Sequence, residues 1–360
     1  MILKKLDFKS IRLAIGTCKE WRKVINDFNI EEFVSCKFPI FHTQSYAIQN
    51  EISLIHFFFK FPVRTSGILY VGREGINCLT PDKVLTLVDI KELPNGFGSI
   101  FIHNGIYMHN TAEKCFQLDH GTLTEHSTFN QYRGADSSFV STKTSTFIFG
   151  GCFSKDTYEY LPQNSNTWVL GRSQIPGGFQ SGCAIAVKSE EEIWLIGGFD
   201  TEKRILSFNV KDHIFKELPA KLNIGRWDHK CAFIPGTKKI MVTGGRDDKR
   251  LSAPDAINGA LQASTEIIDT ETGKVNMARP MNCKRFNHGI GIITFQAENR
   301  LFVFGGYGRD PFNSLKIIEF YDTKTQKWRK TGKIKTNLEF FSFSRNCTTT
   351  NLWDIKKMLK

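Results

Sequence analysis

Phe147-Ile-Phe-Gly-Gly151 is a short run of strand-forming residues that ends in two glycines, and three later segments repeat it. The later copies are Trp194-Leu-Ile-Gly-Gly198, Ile240-Met-Val-Thr-Gly-Gly245 and Leu301-Phe-Val-Phe-Gly-Gly306. The final glycines of successive copies are 47, 47 and 61 residues apart. A period near 50 residues is typical of repeat architectures, in which each repeat is one small structural unit.

A second strand-like element follows each of these segments. Tyr158-Glu-Tyr160 leads to Trp168, and Glu319-Phe-Tyr-Asp322 leads to Trp328, each through a short polar stretch. Polar turn residues between two β-prone runs predict a pair of antiparallel strands. The glycines let the chain leave the inner strand without a side chain that would obstruct close packing.

Two glycines, a Tyr-Asp-like strand end and then a tryptophan together resemble the kelch repeat, over about residues 100–340. The resemblance implies an all-β fold, a kelch-type β-propeller whose blades are four-stranded sheets around a central axis. Ile106-Tyr-Met-His-Asn110 and Gly67-Ile-Leu-Tyr-Val-Gly72 have the character of two weaker blades, which gives six blades, with five or seven left open. We expect Phe340-Phe-Ser-Phe343 to return and complete the first blade.

The amino terminus has a different periodicity, and its apolar spacing favours a small α-helical segment of two short amphipathic helices over residues 1–28. Leu6-Asp-Phe-Lys-Ser-Ile-Arg-Leu-Ala, followed by Thr17-Cys-Lys-Glu-Trp21, resembles the second half of an F-box. The leading Leu-Pro helix of that family is not in this sequence. F-box proteins dock on a Skp-type adaptor, which links them to a cullin–RING ubiquitin ligase. The resemblance therefore implies adaptor contacts through Leu6, Ile11, Leu13, Cys18 and Trp21.

These features predict four parts of the chain. Partial F-box-like helices occupy residues 1–28, and a linker or packing segment occupies residues 29–65. The kelch propeller covers residues 66–350, and a carboxyl-terminal tail covers residues 351–360. The alternative for the amino-terminal helices is a cap that packs on the propeller.

Three segments precede a Gly-Gly strand at a similar offset: Arg133-Gly-Ala-Asp136, Arg226-Trp-Asp-His229 and Arg285-Phe-Asn-His288. In kelch propellers such a segment enters the innermost strand beside the central channel, so the resemblance places the three arginines on one rim. Guanidinium groups bind carboxylates and phosphates in a bidentate manner, which suits an acidic or phosphorylated protein segment. Equally open is a role in which each arginine braces a neighbouring blade through backbone carbonyls.

His229 and His288 belong to the same candidate partner-binding face as these arginines. They are two separate single histidines without paired carboxylates, so the sequence favours structural histidines over metal ligands. The loops that follow Gly-Gly add Arg246, Tyr307 and Arg309 to this face. The longer spacing before the last Gly-Gly indicates an insertion around residues 246–264, and inserted loop residues often lie on a binding face.

Composition limits the partners that the chain can have. It carries 48 basic and 36 acidic residues, for a formal charge of +12, which favours acidic partners. The basic residues are scattered, with no long run and no interleaved stacking motif, which argues against nucleic acid. Nine cysteines without a Cys-x-x-Cys pair indicate a reducing compartment, either the cytoplasm or the nucleus. No membrane-spanning stretch and no cofactor are expected.

Together these patterns predict a recognition protein. We expect the propeller to bind a target protein, as the substrate-recognition subunit of a cullin–RING ubiquitin ligase whose partners perform the chemistry. The alternative is a kelch scaffold, for example a cytoskeletal one, without a ubiquitin role. Catalysis by this chain is not expected, because the sequence lacks a histidine-rich cluster, a Gly-x-Ser-x-Gly elbow and a phosphate-binding loop.

Overall fold

A computed structural model of the protein describes residues 66–72, 75–79, 84–89, 97–102, 106–110, 114–119, 122–134, 137–177, 182–247, 261–295, 298–308, 315, 317–331 and 348–351. The chain divides between Thr65 and Ser66, and every described residue lies after that boundary. The predictions for residues 1–28 and 29–65, including the five adaptor contacts, therefore lie outside the described residues. Within the described ranges, no helix is long and apolar enough to cross a membrane.

Within these ranges, 24 strands form six four-stranded antiparallel sheets, one for each blade. Blades 1 and 2 use β1 (Ser66–Gly72), β2 (Gly75–Leu79), β3 (Val84–Asp89), then β4 (Phe97–Ile102), β5 (Ile106–Asn110), β6 (Lys114–Asp119) and β7 (Thr122–Thr128). Blades 3 and 4 use β8 (Ser138–Ser141), β9 (Ser145–Phe149), β10 (Tyr158–Pro162), β11 (Val169–Leu170), then β12 (Ala184–Ser189), β13 (Glu192–Ile196), β14 (Ile205–Asn209) and β15 (Ile214–Glu217). Blades 5 and 6 use β16 (Lys230–Phe233), β17 (Lys239–Thr243), β18 (Thr265–Asp269), β19 (Val275–Ala278), then β20 (Gly289–Phe295), β21 (Glu298–Phe304), β22 (Ile318–Asp322) and β23 (Lys327–Lys330). The last strand, β24 (Thr348–Asn351), returns to blade 1.

The ring is closed by this carboxyl-terminal strand. β24 pairs antiparallel with β1, with Ser66 opposite Asn351 and Leu69 opposite Thr348. It also contacts the first strands of blades 2 and 6, so it takes the innermost position of blade 1. We had expected Phe340–Phe343 in this role, and those residues lie outside the described ranges. The two weaker blades predicted from the sequence are present as the sheets that contain β1 and β5.

The core lies between adjacent blades and not within any one blade. Phe147 and Phe149 of blade 3 meet the edge of the Phe208 ring of blade 4, with ring centroids 5.5 and 5.3 Å apart. On the other face of blade 4, Trp194 and Ile196 pack with Ile240 and Val242 of blade 5. A single blade is not stable alone, because its apolar faces are covered only by the neighbouring blades. This inter-blade packing gives a structural role to the phenylalanines of blades 3 and 4, which are part of the 31 in the chain.

In blades 4 and 5 the Gly-Gly pair allows a close approach between the blade and the segment that enters the next blade. All four pairs have positive φ angles, for example 62° at Gly244 and 94° at Gly245. A Cβ atom on Gly244 would lie 2.4 Å from the carbonyl oxygen of Arg285, which no side chain can accommodate. The Gly245 N–H donates a hydrogen bond of 2.9 Å to the same oxygen. The glycines of blades 4 and 5 therefore fix the position of the next entry segment, which is where Arg226 and Arg285 lie.

Candidate partner-binding face

The loops after Gly-Gly and the segments that enter each first strand lie at the same end of the blades, because successive strands alternate in direction. Trp227 and Arg246 exchange backbone hydrogen bonds of 3.1 and 2.9 Å across this end of blade 5. Phe286 and Tyr307 do the same in blade 6, at 3.2 and 3.0 Å. We call this end the Gly-Gly face, which carries Tyr132, Phe153, Phe199, Trp227, Arg246, Phe286 and Tyr307.

The three entry arginines lie inside their own blades and not on a solvent-exposed rim. Their exposed fractions are 1% for Arg133 and 0% for Arg226 and Arg285. Each forms an ion pair with a buried glutamate on the third strand of the same blade. The N–O distances are 3.0 Å to Glu159, 2.7 Å to Glu266 and 2.7 Å to Glu319, listed in the same order as the arginines.

In addition, Nη1 of each arginine donates to two backbone carbonyls of its own blade. Arg226 Nη1 donates to the carbonyl of Gly244 at 2.8 Å and to that of Ser264 at 3.1 Å. Arg285 contacts Gly305 and Ile317 in the same way, at 2.9 and 3.1 Å. Burial lowers the pKa of each arginine and the paired glutamate raises it. A guanidinium group stays protonated under such conditions because its ordinary pKa is very high.

An asparagine three residues before each arginine completes the arrangement. The backbone N–H of Asn223 donates to Glu266 Oε2 at 2.7 Å, and its side-chain amide donates to the same oxygen at 3.0 Å. Asn130 with Glu159 and Asn282 with Glu319 repeat this contact, with backbone distances of 2.7 Å in both. We call the repeated unit the Asn–Arg–Glu clamp, and it ties the entry segment to the third strand of its blade.

Blade 4 lacks the clamp. Leu206 occupies the register position of the glutamate, opposite Leu195, as Glu266 lies opposite Val242 in blade 5. Leu206 is fully buried in the apolar core between blades 3 and 4. Leu206 therefore replaces the buried glutamate of the other blades. Replacing both partners of a buried ion pair with apolar residues is often neutral or stabilising.

These contacts correct the placement expected for Arg133, Arg226 and Arg285. A side chain with an exposed fraction of 0–1% presents no surface to a partner, and its hydrogen bonds are directed to its own blade. We therefore assign the three arginines to bracing of their own blades, whereas the alternative left open by the sequence was bracing of a neighbouring blade. The sequence missed the glutamates because they are separated from the arginines by 26, 40 and 34 residues.

The two histidines are also fully buried, at the contact between successive blades. His288 Nε2 lies 2.8 Å from the Thr243 hydroxyl of the preceding blade. Because that hydroxyl donates to the Lys230 carbonyl at 3.2 Å, we assign the proton to Nε2 of His288. Burial holds the pKa of both histidines well below the usual value, so both are neutral near pH 7.

His229 occupies the equivalent place between blades 4 and 5, where Ile196 stands instead of a threonine. Neither ring nitrogen makes a hydrogen bond of normal geometry to a described residue, although the Ile196 backbone lies close enough to favour protonation slightly. Among the described residues, no group of three or more His, Cys, Asp or Glu side chains could hold a metal ion.

The Gly-Gly face itself is lined by stacked rings and one cation. The guanidinium carbon of Arg246 lies 3.6 Å from the Phe286 ring centroid and 4.7 Å from the Trp227 ring centroid. Phe199 meets Trp227 edge-on at 5.4 Å, and Tyr307 lies 5.2 Å from Phe286. The row therefore runs without a break over blades 4, 5 and 6. Cation–π stacking on these two rings holds the guanidinium group of Arg246 in place at the surface.

Arg246 and Tyr307 are thus the two predicted residues that the structure brings together on this face. The Arg246 side chain is 27% exposed, and its Nε lies 3.7 Å from the Asp228 carboxylate. Tyr307 is half-buried. Arg309 lies outside the described residues, as do residues 248–260 of the predicted insertion.

An exposed aromatic pair on blade 3 was not anticipated. Tyr132 is 48% exposed and Phe153 is 67% exposed, and their rings lie 4.9 Å apart. Phe153 follows a Gly-Gly pair, and Tyr132 precedes an entry arginine. Large exposed apolar side chains that cluster on one face are typical of binding surfaces. Phe199, Arg246 and Tyr307 each directly follow a Gly-Gly pair, and Phe153 lies one residue further along its loop, so the sequence indicated the loop position but not the exposure.

Comparisons with known proteins give kelch-repeat relatives. No family model matches the chain. It is 23% identical over 207 residues to a kelch repeat-containing protein of Dictyostelium discoideum, which covers 52% of this chain and 29% of the relative. It is 22% identical over 224 residues to a RING finger domain and kelch repeat-containing protein of the same organism, which covers 61% of this chain and 21% of the relative. The chain therefore spans less than a third of the length of these relatives.

The solved structure of YjhT is similar to this chain, with a TM-score of 0.44 and 14% identity. The match covers 57% of this chain and 67% of the YjhT chain. The six sheets, the Gly-Gly period and the kelch-repeat relatives together define the fold class. The described part of the chain is all-β and has the architecture of a kelch-type β-propeller. Kelch propellers generally serve as protein-interaction modules and not as catalysts.

Proposed function

We propose that this propeller binds a protein partner across its Gly-Gly face. Two observations support this proposal: the row of rings described above on blades 4, 5 and 6, and the separate exposed pair of Tyr132 and Phe153 on the same end of blade 3. Aromatic side chains bury a large area on binding and lose little rotamer freedom. A partner segment that covers the pair would remove exposed apolar surface from water, which stabilises the complex.

Arg246 supplies the polar part of the proposed contact. Its side chain is already held between Trp227 and Phe286, so it loses little entropy when a ligand binds. Its charge is shared with Asp228, which leaves a partly neutralised cation on the face. We infer that a partner combines apolar or aromatic anchors with an acceptor for Arg246.

We further propose that the chain is a substrate-recognition subunit of a cullin–RING ubiquitin ligase in the cytoplasm or nucleus. The resemblance of residues 6–25 to part of an F-box supports this, with the adaptor contacts at Leu6, Ile11, Leu13, Cys18 and Trp21. One relative joins kelch repeats to a RING finger domain in a single chain, which is compatible with such a role. The ligase partners would perform the chemistry, and this chain would contribute proximity.

A comparison of two surface variants tests the binding proposal. The double variant Tyr132→Ser/Phe153→Ser removes the exposed pair on the Gly-Gly face. The matched control Ile214→Ser removes an apolar side chain that is 61% exposed at the opposite end of blade 4. We expect partners recovered from cell extract with the unchanged chain to be lost with the double variant and kept with the control. Equal recovery by all three chains would contradict the proposal.

Removal of residues 1–28 separates the two levels of the proposal. If the ligase role is right, this deletion loses the Skp-type adaptor and the cullin but keeps the partner bound by the propeller. If the unchanged chain recovers the partner but neither ligase component, the protein is a kelch scaffold without a ubiquitin role.

A further inference from the structure

The exposed pair of Tyr132 and Phe153 is held in place by its own blade. The backbone N–H of Phe153 donates to the carbonyl of Arg133 at 3.2 Å, and the hydroxyl of Ser154 donates to the carbonyl of Tyr132 at 2.7 Å. Ser154 is buried, so the second hydrogen bond is shielded from water. The two loops are therefore tied together next to the rings, and the pair loses little conformational freedom when a partner binds.

Gly134 lets the Phe153 ring lie against the backbone. A Cβ atom at Gly134, where φ is 64°, would lie 2.4 Å from Cδ2 and 2.8 Å from Cε2 of Phe153. The Tyr132 ring lies 4.9 Å from the Phe153 ring at an interplanar angle of 32°, which leaves no room for a side chain between the two rings. We call the pair the aromatic platform, because a flat group can lie on it and none can insert into it.

Tyr132 adds a hydrogen-bond donor to the aromatic platform. Its hydroxyl makes no hydrogen bond to any residue that the structure describes. A polyproline II segment offers flat proline rings, and its backbone carbonyls have no hydrogen bonds within the segment. A proline ring on the platform and a carbonyl at the Tyr132 hydroxyl would engage both features of the pair. Such a segment is already extended before it binds, so it also loses little entropy.

The charge beside the aromatic platform is slightly positive. Outside the clamp, the described residues at this end of blade 3 carry three charged side chains: Lys155, Asp156 and Arg172. Lys155 lies two residues after Phe153, and the segment after Arg172 is joined to Asp156 by a backbone hydrogen bond of 2.7 Å from Ile175. Lys155 and Arg172 are exposed, and neither forms an ion pair with a described residue. Two cations and one acid are complementary to an acidic residue on the bound segment.

We propose that the aromatic platform binds a proline-rich segment of the partner, with an acidic residue beside the prolines. This inference rests on the proposed function and names the chemistry of the segment that the platform contacts. Single-stranded nucleic acid is less well matched, although bases also stack on aromatic rings. Two cations and one acid beside a single platform offer few contacts to a phosphate backbone.

The test uses fluorescence polarisation with the full chain and two fluorescein-labelled peptides at the same salt concentration. One peptide has four repeats of Pro-Pro-Glu and the other has four repeats of Ser-Ser-Glu, so the two differ in proline content and have the same charge. We expect the Pro-Pro-Glu peptide to bind at least about fivefold more tightly.

Variants of the platform locate this binding. Tyr132→Phe removes only the hydroxyl and should weaken binding of the Pro-Pro-Glu peptide about twofold to tenfold, the usual effect of one hydrogen bond. Tyr132→Ser/Phe153→Ser should weaken it about tenfold or more, and the control Ile214→Ser by less than about twofold. If circular dichroism shows that the double serine variant is unfolded, Tyr132→Phe still decides the test.

A second pair of variants tests the acidic residue of the segment. Lys155→Gln/Arg172→Gln removes the two cations and should weaken binding of the Pro-Pro-Glu peptide about twofold to fivefold. The control Lys211→Gln/Lys274→Gln makes the same change in net charge at exposed turns of blades 4 and 5, at the end opposite the Gly-Gly face. We expect this control to change the affinity by less than about twofold.

Equal affinity for the two peptides would overturn the proposal, and so would tighter binding of a single-stranded oligouridine RNA than of the Pro-Pro-Glu peptide. Equal losses in the two glutamine variants would show attraction to the overall charge and would overturn the acidic part. If the peptides bind equally while Tyr132→Ser/Phe153→Ser still loses the partners recovered from cell extract, only the proline-rich segment is refuted. If that variant keeps those partners, the proposed function itself is refuted.

Discussion

The Asn–Arg–Glu clamp makes a quantitative prediction about the stability of the propeller. Replacing Arg226 with Ala leaves the Glu266 carboxylate buried, at 0% exposure, without its cation. It also removes the donors to the carbonyls of Gly244 and Ser264. Breaking a buried ion pair from one side costs about 3–5 kcal/mol, so we expect Arg226→Ala to lower the free energy of unfolding by that amount.

Changing both partners should cost much less than the sum of the single changes. Arg226→Met/Glu266→Leu leaves no unpaired charge and reproduces the apolar solution that blade 4 already uses at Leu206. The two amide donors of Asn223 and the backbone N–H of Ile224 lose their acceptor, which costs about 1–3 kcal/mol for each donor left buried. We therefore expect the double variant to be more stable than either Arg226→Ala or Glu266→Ala.

Urea unfolding of the full chain, followed by circular dichroism and tryptophan fluorescence, measures these differences. The reasoning fails if Arg226→Ala changes the free energy of unfolding by less than about 1 kcal/mol, the usual range for a surface substitution. It also fails if the double variant is as unstable as the two single changes added together. Unchanged stability combined with loss of partner binding would return Arg226 to the partner-binding role that the sequence first suggested.

Two further predictions concern pH and the glycines. His229 and His288 are buried as neutral rings beside Arg226, Arg285 and Lys230, so their folded-state pKa values are lowered and the unfolded chain binds protons that the folded chain excludes. The free energy of unfolding should therefore fall as pH drops below the ordinary histidine pKa of about 6.5, by up to about 2.7 kcal/mol per pH unit for two histidines. Urea unfolding at pH 6.5 and 5.5 measures this change, and His288→Gln should remove about half of it. A free energy of unfolding that does not change between these pH values would contradict the prediction. Gly245→Ala places a Cβ atom 2.7 Å from His229 Cβ and should destabilise the fold by more than about 2 kcal/mol, whereas Gly236→Ala, with φ of 73° but open space around it, should cost only about 1 kcal/mol. Equal thermal midpoints for these two glycine variants would show that Gly245 is not tightly packed against the entry segment of its own blade.

The strands next to the glycine pairs were predictable from the sequence, because each combines a β-prone run with a residue pair that requires positive φ. The closing strand was not predictable in the same way. Thr348–Asn351 is polar and has no apolar alternation, whereas Phe340–Phe343 has the aromatic character that attracts a strand prediction. Its position depends on hydrogen bonds to β1, which sequence periodicity does not encode.

The candidate site was predicted in part. The repeated arginine offset was recognised, but its purpose depends on Glu159, Glu266 and Glu319, which lie on the third strand of each blade at unequal sequence separations. An Asn-x-x-Arg segment with a Glu in the third strand of the same blade would have revealed the clamp. Tyr132 and Phe153 were missed because aromatic residues are usually buried, and no local pattern shows that these two remain exposed.

Site-specific photo-cross-linking tests the central claim, that the Gly-Gly face binds a protein partner. A benzophenone amino acid would replace Phe153 in one chain and Ile214, at the opposite end of blade 4, in another. We predict that irradiation in cells joins a discrete partner to the chain labelled at position 153 and not to the chain labelled at position 214. The same adducts at both positions, or an adduct at position 214 alone, would contradict the assignment of the binding face.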